Sequence, residues 1–159
     1  MAQPPVEVER KWLVQPPPDL PIHQGKDVTQ GYIALAEDGT EVRLRQIGEQ
    51  WFQTVKSEGG LIRGEIEVEL SRQQFETLWP ATAGRRLEKT RFQLPWEGKT
   101  VEVDVYHGCL AGLVVAEVEF TSASESAQFT PPPWFGSEVT GDDAYKNVIL
   151  VLHGRPGRI

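Results

Sequence analysis

Residues 6–14 read VEVERKWLV, and this segment sets the pattern from which the fold can be inferred. Within it, Glu7, Glu9 and Lys11 occupy alternate positions, and valine and arginine separate them. Side chains two positions apart point to the same face of a β-strand. The alternation therefore predicts a strand with two carboxylates and one amine on one face and apolar residues on much of the other.

The same alternation recurs along most of the chain, and the charged residues of one strand usually share a sign. Like charges on one face repel, so a solvent-facing surface is normally diluted with serine, threonine and opposite charges. Carboxylate clusters tolerate each other best around a divalent cation, and basic clusters around a polyanion. The pattern indicates a phosphate compound bound through a metal, but it leaves open whether the charged face points outward from a sandwich or inward into a barrel. The further same-face sets are Arg43 with Arg45, Arg63 with Glu65, Glu67 and Glu69, Lys89 with Arg91, Glu102 with Asp104, and Glu117 with Glu119.

Turn and cap signals divide the rest of the chain into short elements. Asp38-Gly39 is a hairpin signal, and Ser71 with Gln74 three residues later forms a capping-box pattern that predicts a helix start. These signals predict one antiparallel, β-rich domain with about eight strands and two or three short helices. After the first strand, strands are predicted over residues 28–36, 41–46, 51–56, 61–70, 86–94, 100–106 and 113–120, and helices over 71–79, 122–129 and 142–152.

Length and composition exclude several classes of protein. The chain has 159 residues and a net charge of −7, which suits one globular domain and argues against duplex nucleic acid as the main partner. Its single cysteine, Cys109, excludes an internal disulfide framework and a cysteine-rich metal site. No apolar run approaches the roughly 20 residues of a membrane span, and the start lacks a signal-peptide core. We therefore expect a cytoplasmic protein without a membrane partner.

Several motifs occur in an order that resembles one known family. The segment Glu7-Val8-Glu9-Arg10-Lys11 has the ExExK form that opens the CYTH superfamily, the triphosphate tunnel metalloenzymes. The resemblance is greatest to the short bacterial inorganic triphosphatases, and it assigns residues 4–152 to one CYTH domain and 153–159 to a flexible C-terminal tail. The later pieces are Gln30-Gly31-Tyr32, Arg43-Leu44-Arg45, Thr54-Val55-Lys56, Arg63-Gly64-Glu65-Ile66-Glu67, Lys89-Thr90-Arg91, Asp104-Val105-Tyr106, Gly112-Leu113, Glu117-Val118-Glu119-Phe120, Glu138-Val139-Thr140-Gly141-Asp142 and Tyr145-Lys146-Asn147.

The resemblance implies a mainly β (α+β) fold, an eight-stranded antiparallel β-barrel that forms a charged tunnel, with two or three short flanking helices. The charged faces would then point inward and the apolar faces outward. Because so few short helices leave apolar strand faces uncovered, we also expect a homodimer.

The resemblance implies roles for both signs of charge. Arginine offers a planar fork for two phosphate oxygens, and lysine offers a point charge. The catalytic set would be Glu7, Glu9, Lys11, Glu117 and Glu119. The ligands of Mg²⁺ or Mn²⁺ would come from Glu7, Glu9, Glu119, Glu117, Glu65, Glu67 and Asp104. The substrate would be held by Lys11, Arg43, Arg45, Lys56, Lys89, Arg91, Arg63, Tyr32 and Lys146.

The expected activity is metal-dependent hydrolysis of a small-molecule triphosphate or polyphosphate, with inorganic tripolyphosphate split into pyrophosphate and phosphate. Water would attack a terminal phosphorus in line. Other reactions fit the same tunnel, namely nucleoside or thiamine triphosphate hydrolysis and class IV-type adenylate cyclisation. A module that binds polyphosphate without cleaving it is the remaining alternative.

Overall fold

A computed structural model describes residues 8–15, 19–21, 24–57 and 65–157 of the chain. Within these described residues, nine strands and three short α-helices follow one another. The strands are β1 (Val8–Val14), β2 (Lys26–Leu35), β3 (Glu41–Ile47), β4 (Gln50–Lys56), β5 (Glu65–Leu70), β6 (Arg86–Trp96), β7 (Lys99–Tyr106), β8 (Val114–Phe120) and β9 (Phe135–Glu138). The helices are α1 (Arg72–Leu78), α2 (Ala123–Gln128) and α3 (Asn147–His153).

All nine strands join one sheet in the order β5-β4-β3-β2-β6-β7-β8-β1-β9. Every paired neighbour runs antiparallel. The predicted mainly β class with short helices is confirmed, as are the eight strands predicted from alternation. The sheet differs from an eight-stranded closed barrel in two respects: β9 adds a ninth strand beside β1, and over the described residues β5 and β9 form its unpaired edges.

The strand registers place the alternating charged residues on one continuous face of this sheet. Directly opposed residues of antiparallel strands project to the same side. We call this side the charged face. It carries Glu9 and Lys11 of β1, Glu117 and Glu119 of β8, Glu102 and Asp104 of β7, Lys89 and Arg91 of β6, Gln30 and Tyr32 of β2, Arg43 and Arg45 of β3, Thr54 and Lys56 of β4, and Glu65, Glu67 and Glu69 of β5.

The opposite face holds the larger hydrophobic core. Trp12, Phe92 and Phe120 are buried there among the valines of β7 and β8. Phe129 and Phe135, which lie beyond α2, pack against this core, and both rings contact Trp12, with centroid distances of 5.7 and 4.8 Å. The alternation in the sequence did not show whether the charged side chains point toward solvent or into a site. The structure packs the apolar side of these strands and leaves the charged side for a site.

Helix α3 covers one end of the charged face. Leu150, only 1% exposed, packs against Leu87, Tyr106 and Val115, which the registers place on the same face as the charges. The Tyr106 hydroxyl also donates to Asn147 Oδ1 at 2.7 Å. A second hydrophobic cluster therefore closes this end.

Helix α1 begins as its sequence predicts. The Ser71 hydroxyl accepts from the Gln74 amide, and the Gln74 side chain accepts from the Ser71 amide, so the capping box is complete. Phe75 and Trp79 stack with a centroid distance of 5.0 Å. Over the described residues, no helix has the length and apolar character needed to span a bilayer.

Candidate active site

Three carboxylates meet where β1 lies beside β8. Glu9 is directly opposite Glu119, and Lys11 is opposite Glu117. One oxygen from each of Glu9, Glu117 and Glu119 lies within 4.8 Å of the others. Like charges opposed across a strand pair are destabilising on their own. The closeness of these three carboxylates is the arrangement expected of oxygen ligands that share a cation.

Glu117 is the least exposed of the three carboxylates. Burial, together with the charge of Glu9 and a hydrogen bond to it, raises the pKa of Glu117 to about 8, although Lys11 acts in the opposite direction. Without a cation, burial and the neighbouring Glu9 therefore favour the protonated form of this carboxyl group, and a bound cation would favour its ionised form.

Two bases on β6 converge on one acid of β7. Lys89 Nζ donates to Asp104 Oδ2 at 2.8 Å, and Arg91 donates to both Asp104 oxygens at 2.8 and 3.0 Å. Burial would raise the pKa of Asp104, but the ion pairs with Lys89 and Arg91 outweigh it and lower this pKa to about 2. Asp104 was expected among the metal ligands, and the structure places it as the counter-ion of two bases.

Two arginines of β3 face two glutamates of β5. Arg43 lies 3.9 Å from Glu65, and Arg45 lies 3.6 Å from Glu67. The buried Thr54 of β4 donates to Glu67 Oε2 at 3.1 Å. The Nε atoms of both arginines are buried and have no hydrogen-bond partner, although buried donors are normally paired. An anion on the charged face would supply the missing acceptors.

The remaining predicted residues lie around this centre. Lys11 Nζ donates to the Tyr145 carbonyl at 3.4 Å, and Lys56 lies opposite Glu65 in register. Lys146 pairs with Asp143 at 3.2 Å and lines a cavity of about 260 Å³ between α3 and the β2–β3 turn. Glu7 and Arg63 lie outside the described residues.

Sequence reasoning missed one polar residue of the site. Gln30 is only 1% exposed, and its side-chain amide donates to the Tyr32 hydroxyl at 2.9 Å. Its position two residues before Tyr32 was the available signal, because this spacing places both side chains on one face of a strand.

A profile of the CYTH domain matches residues 6–131, which is more than half of the chain. The chain belongs to the CYTH family. The match lies within the predicted domain over residues 4–152, and the limits of that domain and the C-terminal tail stay predictions.

Two CYTH relatives resemble the chain over nearly their whole lengths. An inorganic triphosphatase of Nitrosomonas europaea is 51% identical over 148 residues, which are 92% of this chain and 97% of the relative. An inorganic triphosphatase of Acetivibrio thermocellus is 35% identical over 147 residues, 91% of this chain and 92% of the relative.

Solved structures share the CYTH tunnel fold. The crystal structure of an inorganic triphosphatase superposes with a TM-score of 0.76 at 46% identity, and the match covers 92% of this chain and 95% of that one. A Pyrococcus furiosus protein superposes with a TM-score of 0.52 at 17% identity, covering 77% and 83% of the two chains. The second likeness shows the fold alone.

The residues of this chain fit the divalent metal that the family implies. The carboxylate cluster offers three hard oxygen ligands within 4.8 Å of one another, as Mg²⁺ and Mn²⁺ prefer. Glu9 and Glu119 are exposed, so a cation could enter from solvent.

Proposed function

We propose that this chain hydrolyses inorganic triphosphate to pyrophosphate and phosphate with Mg²⁺ or Mn²⁺. The observation that supports this most strongly is one continuous charged face that carries an acidic cluster at one side and unpaired basic donors at the other. The name of the 51% identical relative supports the same reaction.

The acidic residues would hold the metal and act in the reaction. We assign the cation to Glu9, Glu117 and Glu119, together with Glu7 from outside the described residues. Glu65 and Glu67 pair with arginines, and Asp104 pairs with two bases. Glu65, Glu67 and Asp104 would therefore balance the positive charge of these basic groups when no substrate is bound.

The basic residues would bind the phosphate chain. Lys89 and Arg91 lie at the centre of the sheet, and Arg43 and Arg45 lie two strands away across β2. Charge-assisted hydrogen bonds from such groups are the strong ones, and arginine suits two oxygens at once. Further contacts would come from Lys11, Lys56, Tyr32, Lys146 and Arg63.

Hydrolysis would proceed by in-line attack of water on a terminal phosphorus. The new P–O bond forms as the bond to the bridging oxygen breaks, pyrophosphate leaves, and a proton of the water passes to a carboxylate of the cluster. A bound divalent cation would polarise the phosphoryl oxygens and offset their charge. The lysines and arginines would stabilise the charge that spreads over the oxygens in the transition state.

An assay with three substrates tests the proposal. The purified chain is incubated with tripolyphosphate, ATP or thiamine triphosphate, each with Mg²⁺, Mn²⁺ or chelator, and ³¹P NMR identifies the products. We expect phosphate and pyrophosphate from tripolyphosphate, none with chelator, and slower turnover of the two organic triphosphates. Faster cleavage of either organic substrate, cyclic AMP from ATP, or binding of tripolyphosphate without cleavage would overturn it in favour of the corresponding alternative.

We propose further that two copies of the chain associate. Ile66 and Val68 of β5 are 65% and 54% exposed on the face away from the charges. These two side chains lie two positions apart on one face of a strand at the edge of the described sheet, and a second copy of the chain would cover them together with the apolar surface beside them.

The proposed location is the cytoplasm. Cys109 is free and exposed, and a reducing compartment would keep this thiol from oxidation. Fractionation of the source cells with an antibody to the chain tests this location.

A further inference from the structure

Gln30 and Tyr32 form a buried polar pair on the charged face. Each is only 1% exposed. By register, Gln30 lies opposite Arg45, and Tyr32 lies opposite Arg43. The Gln30 amide donates to the Tyr32 hydroxyl at 2.9 Å. A polar side chain as deeply buried as Gln30 needs a reason, because an apolar residue would fill the same space without the cost of removing an amide from water.

The backbone of Tyr32 is held by Arg85, the residue that directly precedes the neighbouring strand β6. Its amide donates to the Arg85 carbonyl at 2.9 Å, and Arg85 Nε donates to the Tyr32 carbonyl at 2.9 Å. Gly31 allows a close approach here, because a Cβ at this position would lie 2.7 Å from the Thr82 Cβ. The β2–β3 register shifts immediately after Tyr32, as at bulges that aim a side chain.

With the ring fixed, the direction of the Tyr32 O–H bond is the remaining variable. Because the phenol oxygen accepts the Gln30 amide proton, its own proton must point elsewhere. Arg43, which lies opposite Tyr32 in register, carries only N–H donors, so neither it nor the Gln30 amide nitrogen can accept that proton. Burial and the charge of Glu41 raise the pKa of Tyr32 to about 12, and the hydroxyl therefore keeps its proton at working pH.

We propose that Gln30 is a positioning residue that fixes the Tyr32 hydroxyl as a hydrogen-bond donor to an oxygen of the triphosphate. The inference rests on the proposed function. Gln30 itself touches no substrate in this scheme and acts through Tyr32. The Gln30 amide would fix the direction of the Tyr32 O–H bond. An acceptor or an apolar group in its place would allow the phenol proton to turn away from the substrate.

A double-mutant cycle separates this role from simple packing. The variants are Gln30→Met, which keeps the length but lacks the donor, Tyr32→Phe, and their combination. Tyr32→Phe is expected to lower kcat/KM about tenfold or more, since it removes a hydrogen bond to a charged group, which is stronger than one between neutral groups. Gln30→Met should lower it about three- to tenfold. In the Tyr32→Phe background, the same change should have less than about a twofold effect.

The controls separate the failure of this inference from failure of the proposed function. Gln53→Met replaces a half-buried glutamine on the opposite face of β4 and should leave kcat/KM unchanged. Calorimetric binding of tripolyphosphate in chelator provides a second readout that does not need turnover, and the same coupling should appear there. If the unmutated chain neither binds nor cleaves tripolyphosphate, the proposed function fails and this inference fails with it.

The inference alone is overturned if the unmutated chain cleaves tripolyphosphate but Gln30→Met does so equally well. It is also overturned if Gln30→Met costs the same with Phe as with Tyr at position 32. Should Gln30→Met not fold by circular dichroism, Gln30→Asn takes its place in the cycle. Its amide is too short to reach the phenol, and the same two outcomes decide.

Discussion

Asp104 is the shared counter-ion of two bases, because both of its oxygens accept hydrogen bonds from Lys89 and Arg91. Lys89 is 2% exposed, so it cannot exchange its partner for water. We expect Asp104→Asn to lower the free energy of unfolding by about 3–5 kcal/mol, the range for removing one member of a buried ion pair. Denaturant unfolding at pH 7 measures it.

Glu102→Gln is the matched control for Asp104→Asn. Glu102 lies 3.3 Å from the same Arg91 but is 31% exposed, and loss of such a solvent-screened pair should cost less than about 1 kcal/mol. Equal losses in the two variants would contradict the role of Asp104. Because the folded pKa of Asp104 is about 2, its contribution is present above the unfolded value and disappears as pH falls toward 2.

Glu117 gives the stability of the metal-free chain the opposite pH dependence. Its pKa is about 8 in the folded state and 4.5 as the ordinary value, so between these values the folded chain holds a proton that the unfolded chain releases. The contribution of Glu117 to the free energy of unfolding therefore falls as pH rises from about 4.5 to about 8. Thermal melts in chelator should show this decline in the unmutated chain and a flatter profile in Glu117→Gln. Parallel profiles would contradict it.

Glu9 combines exposure with a central place in the carboxylate cluster. We expect Glu9→Gln to abolish metal-dependent phosphate release, by at least about a hundredfold, because several kcal/mol of charge stabilisation depend on the cation. Its circular dichroism and melting temperature should stay near those of the unmutated chain. Glu88→Gln, an exposed position of β6 on the other face, serves as the control. Full activity of Glu9→Gln would refute the assignment of the metal site.

At the residue level, the sequence predicts faces better than distances. Alternation placed Glu9, Glu117 and Glu119 on one side of their strands, and the register then brought them together. Alternation could not distinguish the surroundings of Asp104 from theirs, because all four are acids at alternating positions of their strands. The contacts of Asp104 with Lys89 and Arg91 depend on which strands are neighbours, and period does not contain that information.

The element that sequence reasoning missed shows the same limit. Strand β9 reads FGSE and has neither β-branched residues nor clear alternation. Its register against β1 pairs Phe135 with Val14, and Arg10 donates to both Glu138 oxygens at 3.2 and 2.5 Å. A strand held by tertiary contacts of this kind has no local signal.

Helix α3 is short and depends on the sheet for its stability. Isolated helices of this length are marginal in water, and Leu150 supplies the fully buried contact. Leu150→Ala should lower the free energy of unfolding by about 2–5 kcal/mol, while Leu152→Ala, at a 47% exposed position, should change it little. Denaturant unfolding compares the two, and equal effects would show that α3 does not rest on this contact.

The outward side of β5 carries the prediction of self-association. Replacing both Ile66 and Val68 by Thr removes apolar surface and keeps β-branched side chains suited to a strand. Light scattering at micromolar concentration should give a dimer for the unmutated chain and a smaller average mass for the double variant. A monomeric unmutated chain would contradict the proposal.

At the scale of the whole molecule, the net charge of −7 describes the surface poorly. Most of the bases expected to bind substrate are gathered on the charged face, where Arg43 and Lys89 are buried. A net excess of acid over the whole chain is therefore compatible with binding a small, strongly anionic substrate. The two-residue alternation predicted that the charges share one face of the sheet. It did not predict that the described sheet is open, because closure depends on whether its two outermost strands, β5 and β9, pair with each other.

Over the described residues the sheet is open, and its edges bear on colloidal stability. Within that part of the chain no strand pairs with the outer edge of β5, where Glu65, Glu67 and Glu69 occupy every second position. If the β5 strands of two copies paired edge to edge with their charged faces on the same side, their glutamates would lie next to one another. The repulsion between these carboxylates would oppose growth into fibrils. Replacing these three glutamates by glutamine would remove the charges that protect this strand-forming segment from aggregation. Glu65 and Glu67, which face the arginines, would thus also oppose association of the chain through this edge.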